Sequence, residues 1–352
     1  MAVLHIFNPE HDIALAANLS NFTAPHAGRQ LRHDLGYLPA IWATDGYVLV
    51  ENVEDAKRDF ARLMHRPFDR FVGKHQLSKL DITRVEPWGW DLALRSFLIR
   101  YGVEAVPSEE EIGVIRDLSH RKHAVDLLRA LEMEGTIGQS WLADTIVEVK
   151  QALRDCEQLV VQAPWSSSGR GVRFVDRSLN DYQQRWIKNV VAAQGSVVIE
   201  TYCHKVKDFG MEFESDGKGQ VSYLGLSLFH TENGAYMGNI LASEDEKTEM
   251  ISRYISIDLL GRVRQKICDH LGELYCGRYA GPFGVDMMVV RGGDNGQCSM
   301  VNGQYLLNPC VEINLRRTMG HVALALSEQT RSDQMMRVEY SDNTYKMKIK
   351  QI

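Results

Sequence analysis

"VVQAPWSSSGRGVRFV", residues 160–175, decides how the rest of the chain is read. The apolar run Leu159 to Val161 ends at Gln162 as a strand would. Three serines follow, then two glycines framing Arg170, and a return to alternating Val172 and Phe174. A small, hydroxyl-rich turn therefore joins two strands. Backbone N–H groups of glycine and serine in such a turn can converge on an anion, the serine hydroxyls add donors, and Arg170 adds a cation. No Gly-Lys-Ser/Thr ending of a Walker loop follows, and the glycines do not open a helix as a dinucleotide fingerprint does. By itself the stretch also reads as a merely flexible hairpin.

The chain of 352 residues is long enough for two or three domains and a generous core. Hydrophobic content of 44% and charged content of 24% are those of a soluble globular protein. A net charge of −6 without a long basic block gives a nucleic-acid partner no electrostatic support. Pro9, Glu10, His11 and Asp12 interrupt the apolar N-terminal stretch, and no run reaches membrane-spanning length. The expectation is a cytoplasmic protein with no membrane partner. The 6 cysteines form no CxxC pair and read as reduced thiols, small residues of the core.

Strand-like VLHIFN, GYVLVEN and DRFVG alternate with helical AKRDFARLMHR and WDLALRSFLIRYG, which predicts a small α/β domain with a largely parallel sheet over residues 1–115. Beyond it, EQLVVQAP, GVRFVD, SVVIETYC, GPFGVDMMVV and PCVEINLR are strand-like, broken by helical patterns at 181–194 and 246–277. That texture predicts α+β structure on antiparallel sheets. DGKG at 216–219 is a hairpin signal, and residues 331–352 read as a terminal β-hairpin.

Two further stretches carry chemistry. PCVEINLRR, residues 309–317, sets Glu312, Asn314 and Arg316 at alternate positions, so all three leave one face of a strand. A carboxylate, an amide oxygen and a guanidinium in one row suit a divalent cation that bridges phosphates, with the arginine on the phosphoryl oxygens; they also suit a solvated strand face. Asp286 lies inside the apolar strand GPFGVDMMVV, where a charge is costly unless it meets a metal or a basic partner. In VVIETYCHKVKDFGMEF, residues 197–213, a strand ends at Glu200 and passes through a short linker into the next strand. Main-chain groups of such a hinge can meet an adenine edge, and an acid beyond it can take ribose hydroxyls.

Taken in order along residues 116–326, the motifs VVQAPWSSSGRGV, VVIETYC, GPFGVDMMV and VEINLRR resemble the ATP-grasp superfamily. The resemblance implies two subdomains, residues 116–195 with the phosphate loop and 196–330 with the metal site. It implies that Asp286, Glu312 and Asn314 hold one or two Mg²⁺ ions and that Arg316 stabilises the transferring phosphoryl group. It implies a loop of Ser166, Ser167, Ser168, Gly169, Arg170 and Gly171 over the β- and γ-phosphates of ATP, with Arg170 acting on them. Glu200, Thr201, Tyr202 and Cys203 would contact adenine, and Asp208 or Glu212 the ribose. Lys122 sits where the family has a phosphate-binding lysine at the head of a helix. One position departs from the family: its lysine before the phosphate loop is here Gln162, which can hydrogen-bond but supplies no charge. Arg170 or Lys205 would compensate.

The N-terminal domain resembles the small α/β domain that precedes ATP-grasp modules in carboxylate ligases. Asn8, Glu10, His11 and Asp12 follow its first strand, where open α/β sheets place ligands, although helix capping and a local salt bridge also account for them. Trp88 and Trp90 read as interdomain packing or a substrate wall, and ENGAYMGNIL (232–241) as a loop that closes over the acceptor. The resemblance implies an ATP- and Mg²⁺-dependent ligase joining a small-molecule or peptide carboxylate to an amine through an acyl phosphate. A kinase on the same scaffold and a non-catalytic nucleotide-binding module are the alternatives. A homodimer is compatible with the sequence.

Overall fold

The computed structural model describes residues 2–166, 171–232, 235–292, 305–327 and 334–351. The chain forms two compact units: residues 1–117, 237–243 and 315–352 make the first, and 118–236 with 244–314 the second.

In the first unit β1 (Ala2–Ile6), β2 (Tyr47–Leu49), β3 (Phe71–Val72) and β4 (Ile82–Pro87) form a parallel sheet in the order β3-β2-β1-β4. Parallel neighbours need crossover connections, and helices such as His26–Leu35 and Val53–Met64 provide them. Asn52 starts the latter helix by accepting the N–H groups of Glu54 and Asp55 at 3.1 and 3.2 Å. Leu4, Ile6, Val72 and Val85 pack with Leu94 and Leu98 of helix Leu92–Arg100 into one core.

The second unit contains two antiparallel sheets. β5 (Ser140–Ala143), β6 (Gln158–Gln162), β7 (Val172–Asp176) and β8 (Val197–Thr201) run in the order β5-β8-β6-β7. Leu159, Val161, Val175, Val197 and Ile199 leave one face and pack with Val149, Ile187 and Val190 of two helices. The alternation of a strand then sends Gln162 and Glu200 to the opposite face. β9 (Lys205–Asp216) and β10 (Val221–Ser227) form the hairpin over DGKG, followed by β11 (Phe229–Glu232) and β12 (Ala235–Leu241). β13 (Ala280–Arg291) and β14 (Tyr305–Asn314) complete the order β10-β9-β13-β14. Phe209, Met211, Phe213, Phe283, Val285 and Met287 are buried, with Phe283 edge-on to Tyr275 at the end of helix Ile257–Tyr275.

β15 (Gln334–Ser341) and β16 (Thr344–Gln351) form the terminal hairpin, and β15 also pairs with Asn239–Leu241 of β12. Met336 and Met347 of this hairpin share a core with Phe7, Leu38 and Phe60, so the chain's two ends build one unit. The helical pattern over 246–277 is two helices, Glu244–Ser252 and Ile257–Tyr275, because Ser256 caps the second through the Leu259 N–H at 3.2 Å. ENGAYMGNIL, read as a loop, includes the strand β12, with residues 233–234 outside the described ones. Among the described residues, no helix is long and apolar enough to cross a membrane.

Candidate functional site

The register of β9, β13 and β14 assembles one polar face. Asp286 stands opposite Gly210 on one side and Glu312 on the other, and Gly284 stands between Glu212 and Asn314. Glu212, Asp286, Glu312 and Asn314 therefore leave the same side of the sheet, away from the apolar positions that alternate with them. Asn314 Nδ2 donates to Asp286 Oδ2 at 3.0 Å. Gly210 lets these groups approach closely: a Cβ there would lie 3.2 Å from the Val285 carbonyl oxygen and 3.3 Å from Asp286 Oδ1. The acid inside an apolar strand thus faces a small cradle of oxygen atoms.

Arg121 joins this face to the serine–glycine turn. It stands immediately before helix Lys122–Ala130 and is only 7% exposed. Its Nη1 donates to the Ala163 carbonyl at 2.7 Å and to Ser166 Oγ at 2.9 Å, while Nη2 donates to Glu312 Oε1 at 2.5 Å. The neck of the turn is closed by the Ala163 N–H, which donates to the Gly171 carbonyl at 2.9 Å. Gly171 must lack a side chain, since a Cβ there would overlap Ser166. Ser167, Ser168, Gly169 and Arg170 lie outside the described residues.

Gln162 is buried and hydrogen-bonds the Glu200 carboxyl. Burial pushes the Glu200 pKa up to about 7; the Arg121 charge opposes the rise, and the Glu312 charge adds to it. Burial also raises the Cys310 thiol well above its ordinary value, reinforced by Glu200, Asp286 and Glu312. The cluster is rich in acids, and in it one buried guanidinium meets the end of β6, the turn and a carboxylate.

Asp286, Glu312 and Asn314 offer hard oxygen donors of the kind Mg²⁺ takes, side by side on one face of the sheet. Among the described residues, no group of three or more His, Cys, Asp or Glu side chains is placed to hold a metal.

No family model matches the chain, and no curated protein does. Solved structures do. N5-carboxyaminoimidazole synthetase from Staphylococcus aureus aligns over 97% of this chain and 83% of its own, at 11% identity and a TM-score of 0.50. A biotin carboxylase–β,γ-ATP complex from Campylobacter jejuni aligns over 97% and 77%, at 12% identity and a TM-score of 0.51. The biotin carboxylase domain of 2-oxoglutarate carboxylase from Hydrogenobacter thermophilus, crystallised with MgADP, ADP and bicarbonate, aligns over 96% and 74%, at 11% and 0.51. These are ATP-grasp proteins. The chain has the ATP-grasp fold.

Within this ATP-grasp fold, Lys122 opens its helix as expected, with its N–H on His120 Nδ1 at 2.9 Å, but the residue bound to the turn is its neighbour Arg121. Lys205 is engaged by Asp208 Oδ2 at 2.6 Å, and Thr231 Oγ1 donates to the same carboxylate oxygen at 2.5 Å. Thr201, Tyr202 and Cys203 line a cavity of about 920 Å³ together with Ile137, Gln139 and Trp141. The lining does not include Gln162, Asp286, Glu312 or Asn314. The N–H groups of Thr201 and Tyr202 donate to the carbonyls of Gln139 and Gln158 at 3.0 and 3.3 Å. Arg316 belongs to the first unit, where Nε and Nη2 meet Asp12 Oδ1 and Oδ2 at 2.9 and 2.8 Å. The Asp12 ion pair, expected to be local, spans 304 positions.

Sequence reasoning missed Arg121 and Gly210. For Arg121 a signal existed: positions 121, 124, 125 and 128 share a helical stripe, and Ala124, Val125 and Leu128 are all buried. Lys122 is out of phase with that stripe. Nothing in the sequence around Gly210 marked it, because its role comes from the register with β13.

Proposed function

We propose that the protein is an ATP- and Mg²⁺-dependent ligase that joins a carboxylate to an amine through an acyl phosphate. The observation that carries this reading is the convergence of Asp286, Glu312 and Asn314 on one face, tied by Arg121 to the turn at Ser166. In the ligase reading a carboxylate oxygen attacks the γ-phosphorus, the bond to the β-phosphate oxygen breaks, and ADP leaves. The amine nitrogen then attacks the acyl carbon, the C–O bond to phosphate breaks, and the nitrogen gives up a proton.

Asp286, Glu312 and Asn314 would hold Mg²⁺, which when bound neutralises charge on the phosphates. Arg121, anchored on Ala163 and Ser166, presents a fixed cation at the mouth of the turn. Such preorganised charge costs no rearrangement while the phosphoryl group moves. It also answers the departure at Gln162: the uncharged amide is committed to Glu200, and the cation comes from the neighbouring helix.

A screen of carboxylate and amine pairs for ADP release tests the reading. ADP that requires both partners, with a ligated product, supports it. ADP formed with a hydroxyl compound and no amine identifies a kinase. Nucleotide binding without turnover on any pair identifies a binding module.

A further inference from the structure

The first unit holds a second cavity, of about 690 Å³, lined by Phe7, Asn8, Val50 and Glu51 just past the carboxyl ends of β1 and β2. In open parallel sheets that edge is where ligands bind. The volume falls in the range of small-molecule sites, and Phe22, Leu94 and Phe97 give it apolar wall.

Its charges are unevenly satisfied. Arg29, Arg32, Lys74 and Arg100 line it, against Glu10, Glu51 and Asp91. Glu10 and Glu51 both bind Arg32. Asp91 caps helix Leu92–Arg100 through the Leu94 N–H at 2.9 Å and accepts from Asn8 Nδ2 at 3.2 Å. Arg29 donates to the Ala24 carbonyl at 3.0 Å, and Lys74 lies 5.7 Å from the Tyr101 ring centre. Among the described residues, none of Arg29, Lys74 and Arg100 is ion-paired with an acid. Three cations therefore surround a cavity whose acids are already committed. Glu10 adds an acceptor: it is 9% exposed, and among the described residues its Oε2 has no hydrogen-bond partner. A buried carboxylate oxygen left unpaired is costly and wants a donor.

We propose that this cavity binds a small molecule whose anionic group, a phosphate or a carboxylate, sits among Arg29, Lys74 and Arg100 and whose neighbouring O–H or N–H group donates to Glu10. Under the ligase reading this ligand is the acid-bearing substrate. The binding test needs neither nucleotide nor turnover, so the site and the ligase reading fail separately.

The test is calorimetric titration of the full chain with inorganic phosphate, succinate and malate. At least one is expected to bind saturably, with Kd on the order of 1 mM or below. Phosphate alone points to a phosphomonoester, and the diacids to a carboxylate ligand. Malate, which adds a hydroxyl to succinate, is expected to bind more tightly than succinate. The triple variant Arg29→Ala, Lys74→Ala, Arg100→Ala changes exposed side chains and should melt like the parent while losing at least about tenfold in affinity, as charge-assisted contacts do when removed. No saturation by any of the three up to about 10 mM, or equal affinity in the folded triple variant, overturns the site. Equal affinity for malate and succinate removes the donor assigned to Glu10.

Discussion

Arg121 and Glu312 are 191 positions apart in sequence, yet Nη2 of the first donates to Oε1 of the second at 2.5 Å. The same guanidinium holds Ala163 and Ser166 through Nη1, so one side chain fixes the turn relative to the polar face of the neighbouring sheet. Removing it would leave two acids, Glu200 and Glu312, without the charge that opposes their repulsion. Arg121→Ala should weaken ATP affinity by about tenfold or more and destabilise the fold by about 2 kcal/mol, the scale of a lost charged hydrogen bond. Arg121→Lys should recover part of the affinity, since it restores the charge without the fork that reaches both sites. Calorimetric ATP binding and thermal melts of both variants check this; wild-type affinity in Arg121→Ala would remove Arg121 from the nucleotide site.

The metal face makes a sharper demand. Asp286→Asn and Glu312→Gln keep the shape of each side chain and remove one ligand charge. Each should lower Mg²⁺-dependent ATP turnover by at least ~10²-fold, comparable to removing a principal electrostatic stabiliser, and leave the circular dichroism spectrum unchanged. Chelation of divalent cations should do the same to the parent protein. Full activity in both variants would mean that the row of Glu312 and Asn314 is only a polar strand face.

Glu200 gives the fold a pH dependence with a definite sign. Its carboxyl titrates at about 7 in the folded chain, from an ordinary value of 4.5, chiefly because it is buried. Between those two values the unfolded chain has released a proton that the folded chain still holds. Stability from this group is therefore full below 4.5 and falls as pH rises, until the folded carboxyl has also ionised. Glu200→Gln mimics the protonated form, so it should remove this part of the slope. Melting temperatures from about pH 4 to pH 8 should fall less in the variant than in the parent. Parallel curves would show that the folded and unfolded chains hold the Glu200 proton equally, with no upward shift on folding.

Much of this was legible in the sequence because strand periodicity reports which residues share a face. The alternation of Glu312, Asn314 and their apolar neighbours, and the lone Asp286, mark one surface of β13 and β14, and the structure has that surface. The DGKG turn and the terminal hairpin were readable from turn chemistry alone. What periodicity cannot report is which strands become neighbours. The pairing of Asp286 with Gly210 depends on β9 lying beside β13, a relation 76 positions long in the chain that nothing local encodes. Arg121 is hidden differently: in the Arg-Lys pair Lys122 lies inside the helix, and Arg121, in phase with the buried stripe, lies just before it. Arg316 was assigned by its strand position, yet the strand ends at Asn314, which frees the arginine to pair with Asp12.

Gln162 tests whether the missing lysine has been replaced or is merely absent. Its amide is hydrogen-bonded to Glu200, so a lysine introduced there would first meet that carboxyl. Gln162→Lys should ionise Glu200 below pH 7 and so flatten the pH dependence that Glu200 imposes on stability. ATP affinity should change by less than about threefold, because the new charge is neutralised and Arg121 already serves the turn. The double variant Gln162→Lys, Glu200→Gln should behave otherwise. With no acid to hold it, the ammonium would be left to the nucleotide, and affinity should rise by about fivefold, near 1 kcal/mol. A gain of that size in the single variant would show that position 162 reaches the phosphates without hindrance from Glu200. A loss in both would mean that Arg121 repels any second cation here, and that one guanidinium is all the charge this site accepts.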